Sequence, residues 1–229
     1  MVLMRDWTSF TCTSTALGRK PRGQLRAIDM DGSTRPDMAP AEAELLGHTV
    51  LVAGFRDVEL RDPADLIEGL RAREELKGLC FQLLNADMVA GPEHVFVSVV
   101  NALRAFELGL NVSSDLGLEI LTFASGQRQI SKAIRSMGLR KGKANVAAVV
   151  VAKSREEALR ALGAITRALT ELGGARDDSV LEVGEEKAVR LMRAFGLTGQ
   201  EISACGKDGL ADAVKALVVE KVALSMAYR

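Results

Sequence analysis

The chain has 229 residues, 48% of them hydrophobic, enough to close a sizeable core in one domain or one domain with an appendage. Thirty Lys and Arg balance thirty Asp and Glu, which argues against bulk nucleic-acid binding, and no apolar run approaches the roughly 18 residues of a membrane helix. Three cysteines, Cys12, Cys80 and Cys205, are odd in number and far apart, so they suggest neither a disulfide framework nor a zinc knuckle and fit a reducing, cytoplasmic setting.

Residues 1–44 read as a flexible leader. As far as Pro40 they are rich in Thr, Ser, Gly, Pro and Arg, show no sustained period and lack the apolar core of a secretory signal. Met30 and Met38 offer alternative starts, so the leader is also readable as a mis-assigned beginning. Residues 45–229 form the domain, with order expected from near His48. There 48-HTVLVAGFRDVEL-60 reads as an extended strand with Gly54 as its bulge. Asp62-Pro63 opens a helix whose buried stripe is Leu66, Ile67 and Leu70. A second strand, 79-LCFQLLNA-86, precedes Pro92, after which Val95, Val99, Ala102, Leu103 and Phe106 recur on one helix face. Leu116, Ile120 and Phe123 predict a helix starting at Ser113 or Ser114 and ending at Ala124.

From Ser125, read as an N-cap, Ile130, Ala133, Ile134 and Met137 repeat at helical spacing until Gly138. A buried strand, 145-NVAAVVVA-152, leads into the capping box Ser154-x-x-Glu157 and a long helix carrying Leu159, Leu162, Ile165, Leu169 and Leu172. Gly173-Gly174 ends it. A short strand, 179-SVLEV-183, and two or three helices complete the chain, the last with Leu210, Val214, Leu217, Val218 and Val222 on one side. The fold class is α/β: a single mixed domain with a small sheet of about four strands surrounded by seven or eight helices.

Most catalytic chemistry is missing from the pattern. His48 and His94 are not at metal spacing to another ligand, so no metal site is expected, and no nucleophile elbow or dinucleotide fingerprint occurs. The segment 138-GLRKGKAN-145 has glycines and lysines but not the spacing of a phosphate loop, and no cofactor is expected. His94, on the first turn of its helix, is a capping or packed imidazole before it is a general base. Asp87 and Glu119 are readable as a carboxylate pair, or as a turn residue and a helix charge.

The charge balance hides an asymmetry. Residues 39–120 hold fourteen acids and six bases, whereas residues 121–155 hold eight bases and no acid. In that second segment Gln127, Arg128 and Gln129 interrupt the apolar pattern at a helix start. Arg128, Lys132 and Arg135 lie on the face opposite Ile130 and Ala133, with Lys141 following. A solvated helix face explains such a run, and so does a groove for a polyanion.

The blocks FQLLNADMVAGPEHVFVSVVNAL, LEILTFASGQRQISKAIRSMG and DDSVLEVGEEKAVRLM, with a closing helix containing VVEKVAL, give the chain its resemblance to a known family. From about His48 onward it resembles the smallest subunit of the KEOPS complex, the family of the human PRPK-binding protein TPRKB and its archaeal relatives. The resemblance implies a non-enzymatic subunit of the complex that installs threonylcarbamoyladenosine in tRNA. The implied partners are an atypical kinase, through it the threonylcarbamoyl transferase, and the single-stranded CCA end of tRNA. Gln127, Arg128, Gln129, Lys132, Arg135 and Lys141 are the expected RNA contacts, and Leu210, Val214, Leu217 and Val218 the expected kinase contacts. The alternative is a regulator of the kinase with no RNA contact.

Overall fold

The computed structural model describes residues 39–228, so the leader expected at residues 1–44 lies almost wholly outside the described residues. Its last residues are nonetheless structured. Ala41–Leu45 forms strand β1, paired antiparallel with strand β2 (His48–Leu60) in the register Leu45 to His48. The two linking residues, Leu46 and Gly47, both have positive φ, +50° and +73°, as a type I′ hairpin turn requires. Leucine is a poor residue for that conformation, and for this reason the hairpin carries no sequence signal and order begins earlier than expected.

β2 is the spine of the sheet. Strand order is β1-β2-β4-β3, with β3 at Cys80–Asn85 and β4 at Gly142–Ala152, and every pairing is antiparallel. The two-residue strand β5, Ala175–Arg176, joins β2 at Phe55 and Arg56, beyond the end of β1. The bulge falls at Arg56 and Asp57, which together stand opposite Asn145, and not at Gly54. Glycine is needed at 54 for another reason. A Cβ there would lie 2.5 Å from the Asp177 carbonyl oxygen, where the 177–178 loop crosses the strand, donating from Asp177 N–H to the Gly54 carbonyl and accepting from Gly54 N–H on Asp178.

Antiparallel sheets commonly leave one face to water. Here the sheet is covered on both. Val50, Val52, Leu84, Val149 and Val151 face one core, built with helices α2 (Pro92–Leu108), α3 (Leu116–Ala124) and α4 (Ile130–Met137). The alternate residues Leu51, Ala53, Phe55, Leu83 and Val150 face a second core with α1 (Pro63–Arg71) and α5 (Arg155–Glu171). Burial on both faces explains the uninterrupted apolar run of β4.

Local signals act as expected at several ends. Asp62 caps α1 with Pro63 at its first position, and Ser154 and Glu157 close a reciprocal capping box on α5. Asp115, and not Ser113 or Ser114, caps α3. Three stripe residues face water instead of core: Phe106, Ile134 and Leu159. Each lies at the rim of its helix's buried arc, where spacing alone does not separate the last covered position from the first open one. Segment 179–183 is not a strand. Its first residues form a 3-10 turn, Asp178–Leu181, because the Asp177 side chain accepts from Ser179 N–H and curls the chain.

The remaining helices are α6 (Glu185–Ala194), α7 (Gly199–Ala204) and α8 (Leu210–Ser225). They enclose a third, small core of Ala188, Leu191, Leu197, Val214 and Val218, reached from the main domain by Ala90. α8 lies on α2, fixed by Asn101 Nδ2 donating to the Val222 carbonyl at 2.7 Å and by a Lys215–Glu93 ion pair at 3.0 Å. The fold is thus mixed α/β, with eight helices and one open antiparallel sheet among the described residues.

Candidate nucleic-acid interface

Ser125 ends α3 and does not start α4. Its N–H bonds back to the Leu121 carbonyl, its hydroxyl donates to the Thr122 carbonyl at 2.8 Å, and Gly126 follows in the left-handed region at φ +64°. The Ser125 oxygen also accepts from Gln127 N–H at 3.2 Å. This closes α3 and throws Gln127, Arg128 and Gln129 outward as a separate turn.

Beneath the turn lies His94, fully buried. Its Nδ1 accepts from Ala90 N–H at 3.0 Å, so the proton sits on Nε2, which donates to the Ala124 carbonyl at 2.8 Å. The ring meets Phe195 edge to face, with centroids 5.7 Å apart, and Phe195 is also the side chain nearest Gly126. Burial holds the imidazole down to about 4, outweighing the opposing hydrogen bond to Ala124. One neutral ring therefore ties the start of α2, the end of α3 and the end of α6 together under the turn. That is a structural role, not that of a general base.

α4 begins at Ile130 with Gln129 as its N-cap, and no side chain caps its first amides. Ala133 and Met137 anchor it in the main core; burying a side chain the size of Met137 is worth about 1.5–3 kcal/mol. The other face is cationic and wet. Arg128, Gln129, Lys132, Arg135 and Lys141 are exposed and Gln127 is half-buried. Among the described residues Arg128, Lys132, Arg135 and Lys141 have no acidic partner, while the neighbouring Lys143 pairs with Asp57 at 3.1 Å and Arg155 with Glu42 at 2.7 Å. Arg140 caps the far end of α4 by donating to the Arg135 carbonyl.

A recess of about 160 Å3 opens beside the turn, lined by Thr122, Phe123, Gln127, Arg128, Ser225 and Tyr228. Tyr228 carries no periodic or motif signal, so sequence reasoning did not single it out; only the docking of α8 brings it here.

Other expected roles are redistributed. Asp87 pairs with Arg190 at 3.1 Å and accepts from Asn145, whereas the buried Glu119 accepts from the N–H groups of Val112 and Ser113. The two carboxylates thus engage separate partners. Segment 138–145 runs from the end of α4 into β4, which is not the strand-to-helix setting of a phosphate loop. Val214 and Val218 are wholly buried in the third core, and Leu210 and Leu217 are half-buried. The apolar stripe expected to meet the kinase is therefore largely interior, because α6 packs on it. Among the described residues no group of three or more His, Cys, Asp or Glu could hold a metal ion, and no helix is long and apolar enough to cross a membrane.

A family model described as Kinase binding protein CGI-121 matches residues 55–225. The chain belongs to this family. The protein named Regulatory protein Cgi121 from Methanocaldococcus jannaschii is 36% identical over 135 residues, 58% of this chain and 83% of that protein. The segment matched to the CGI-121 family takes in His94, the 125–129 turn, α4 and Ser225; β1 and Tyr228 lie outside it.

Proposed function

We propose that the chain is the small, non-catalytic subunit of a KEOPS tRNA-modifying complex, binding the atypical kinase and, through it, working beside the threonylcarbamoyl transferase. The family description and the relative's regulatory name support the kinase half of this reading. On the same surface as α4 it captures the single-stranded 3′ CCA end of tRNA. One observation carries that second half: Arg128, Lys132, Arg135 and Lys141 form an exposed cationic face without acidic partners among the described residues, next to the side chains of Gln127 and Gln129 and the uncapped start of α4. Free cations attract and position phosphates, while carboxamides and helix amides supply direct bonds to base edges and phosphate oxygens.

The test is gel-shift or filter binding of tRNA with and without its CCA end, over a series of salt concentrations, for the parent and for a double charge reversal, Arg128→Glu with Lys132→Glu. Binding should depend on the CCA end. The double variant should bind more weakly, with the slope of log affinity against log salt reduced by roughly 0.7 for each lost contact to a single strand. Equal binding and an equal slope would remove the RNA contact and leave a regulator of the kinase without it.

A further inference from the structure

Lys187 stands where a cation is poorly supported. It is on the first turn of α6, against the positive end of the helix dipole, and is half-buried. Several elements meet around it. Its Nζ donates to the Val180 carbonyl at 2.8 Å, the Asp87 and Glu182 carboxylates and the Arg190 guanidinium act on its charge, and that charge acts in turn on the buried His94 of α2. Burial pushes the ammonium down from 10.5 to about 8, by more than the two carboxylates restore. At pH 8 about half of such an amine is uncharged, against roughly 0.3% of a lysine at its ordinary value. In the uncharged form one hydrogen still binds the Val180 carbonyl, so the lone pair is turned away from that oxygen.

Beside it opens a recess of about 600 Å3 lined by Met88, Glu186, Val189, Arg190, Arg193 and Ala194. Lys187 follows Glu186 on the same helix and faces Asp87, the neighbour of Met88, so the amine borders this space. Arg190 is taken by Asp87 at 3.1 Å and by Glu186 at 2.9 Å, whereas the exposed Arg193 guanidinium has no ion-pair or hydrogen-bond partner among the described residues. We propose that Lys187 is a site of covalent modification, its Nζ taking the acyl group of an acyl phosphate that lodges in the recess with its phosphate on Arg193. The Nζ lone pair forms the new N–C bond, the bond from the acyl carbon to the phosphate oxygen breaks, inorganic phosphate leaves with that electron pair, and the surplus amine proton passes to water. Arg193 steadies the leaving phosphate by a charge-assisted hydrogen bond. The amide product keeps an N–H for the Val180 carbonyl and loses the positive charge that faced Asp87 and Glu182. Acylation therefore changes the charge of this face without breaking the start of α6. The site rests on neither the RNA reading nor the kinase reading.

The experiment treats the folded full chain with acetyl phosphate between pH 7 and 9 and follows each lysine by mass spectrometry, with the exposed Lys77 as reference. Lys187 should be acetylated about 10-fold faster than Lys77 at pH 7.5, its larger uncharged fraction outweighing the lower nucleophilicity of a weaker base. Its rate should level off above pH 8, and in urea the two lysines should react alike. Arg193→Gln should slow the reaction with acetyl phosphate several-fold and leave unchanged the reaction with N-hydroxysuccinimidyl acetate, which carries no phosphate. Circular dichroism confirms that this variant is folded, and Lys187→Arg should remove the fast site. If Lys187 reacts no faster than Lys77 in the folded chain, the modification site is overturned. If Lys187 leads with both reagents but Arg193→Gln alters neither rate, the acyl-phosphate recess is overturned.

Discussion

Replacing His94 with glutamine removes the one buried imidazole and tests whether it is held neutral. The folded protein keeps His94 uncharged down to about 4, against an ordinary value of 6.5. The unfolded chain therefore binds a proton that the folded chain refuses at every pH between those values. The stability contribution is present in full above pH 6.5, falls as the pH drops through the window, and levels off below about 4. Between pH 7.5 and 4.5 the linkage integral amounts to about 2.5 kcal/mol, one pKa unit being roughly 1.4 kcal/mol. Urea unfolding of the parent and of His94→Gln at a series of pH values isolates it, because every other titrating group cancels in the difference. At pH 7.5 the variant should be less stable by about 1–3 kcal/mol, since a single amide does not reproduce both the bond from Ala90 N–H and the bond to the Ala124 carbonyl. By pH 4.5 most of that gap should have closed or reversed. Parallel stability curves would refute the reasoning, and so would an NMR spectrum placing the His94 proton on Nδ1.

Val214→Glu should unfold the α6–α8 layer and not merely block a partner, costing about 3–5 kcal/mol in urea midpoint measurements; a folded variant of normal midpoint would return the α8 stripe to the surface. Leu46→Asn should raise stability by about 0.5–1 kcal/mol, since asparagine accepts the left-handed conformation that leucine holds at φ +50°, and an unchanged or lower thermal midpoint would contradict the hairpin. Burial pushes the Cys80 thiol up to about 12, with Asp115 adding to it, so in a Cys12→Ser, Cys205→Ser background Cys80 should stay unreactive toward a disulfide reagent at pH 8 until the protein unfolds. Rapid labelling of the folded protein would show the thiol to be accessible.

What could be read from the sequence was local. The bounds of β2, the cap of α1 and the capping box of α5 depend on residues within a few positions of one another, and each came out where the residues put it. Gly54 shows the limit. Its strand position was legible, but the reason for glycine is a backbone more than a hundred residues away at Asp177, and that crossing has no local trace. The same holds for the candidate site. Arg128, Lys132 and Arg135 advertise themselves by charge and spacing, and the structure leaves them exposed as that pattern requires. Whether an apolar stripe is core or surface depends on the next helix, so Val214 and Val218 were ambiguous until α6 was seen to cover them. Tyr228 was invisible for the converse reason, since only the path of α8 decides what it stands beside.

The third core has a consequence for how the molecule breathes. Among the described residues, α6–α8 hold a cluster of apolar side chains separate from both sheet cores and lean on the rest through α2, the Asn101–Val222 bond and the contacts of Phe195. A layer attached in this way is able to open as a cooperative unit at less than the cost of global unfolding. The recess straddles that seam, with Thr122 and Gln127 on one side and Ser225 and Tyr228 on the other. A ligand lodged there would clamp the joint, its binding free energy opposing the opening of the layer and slowing hydrogen exchange in α8.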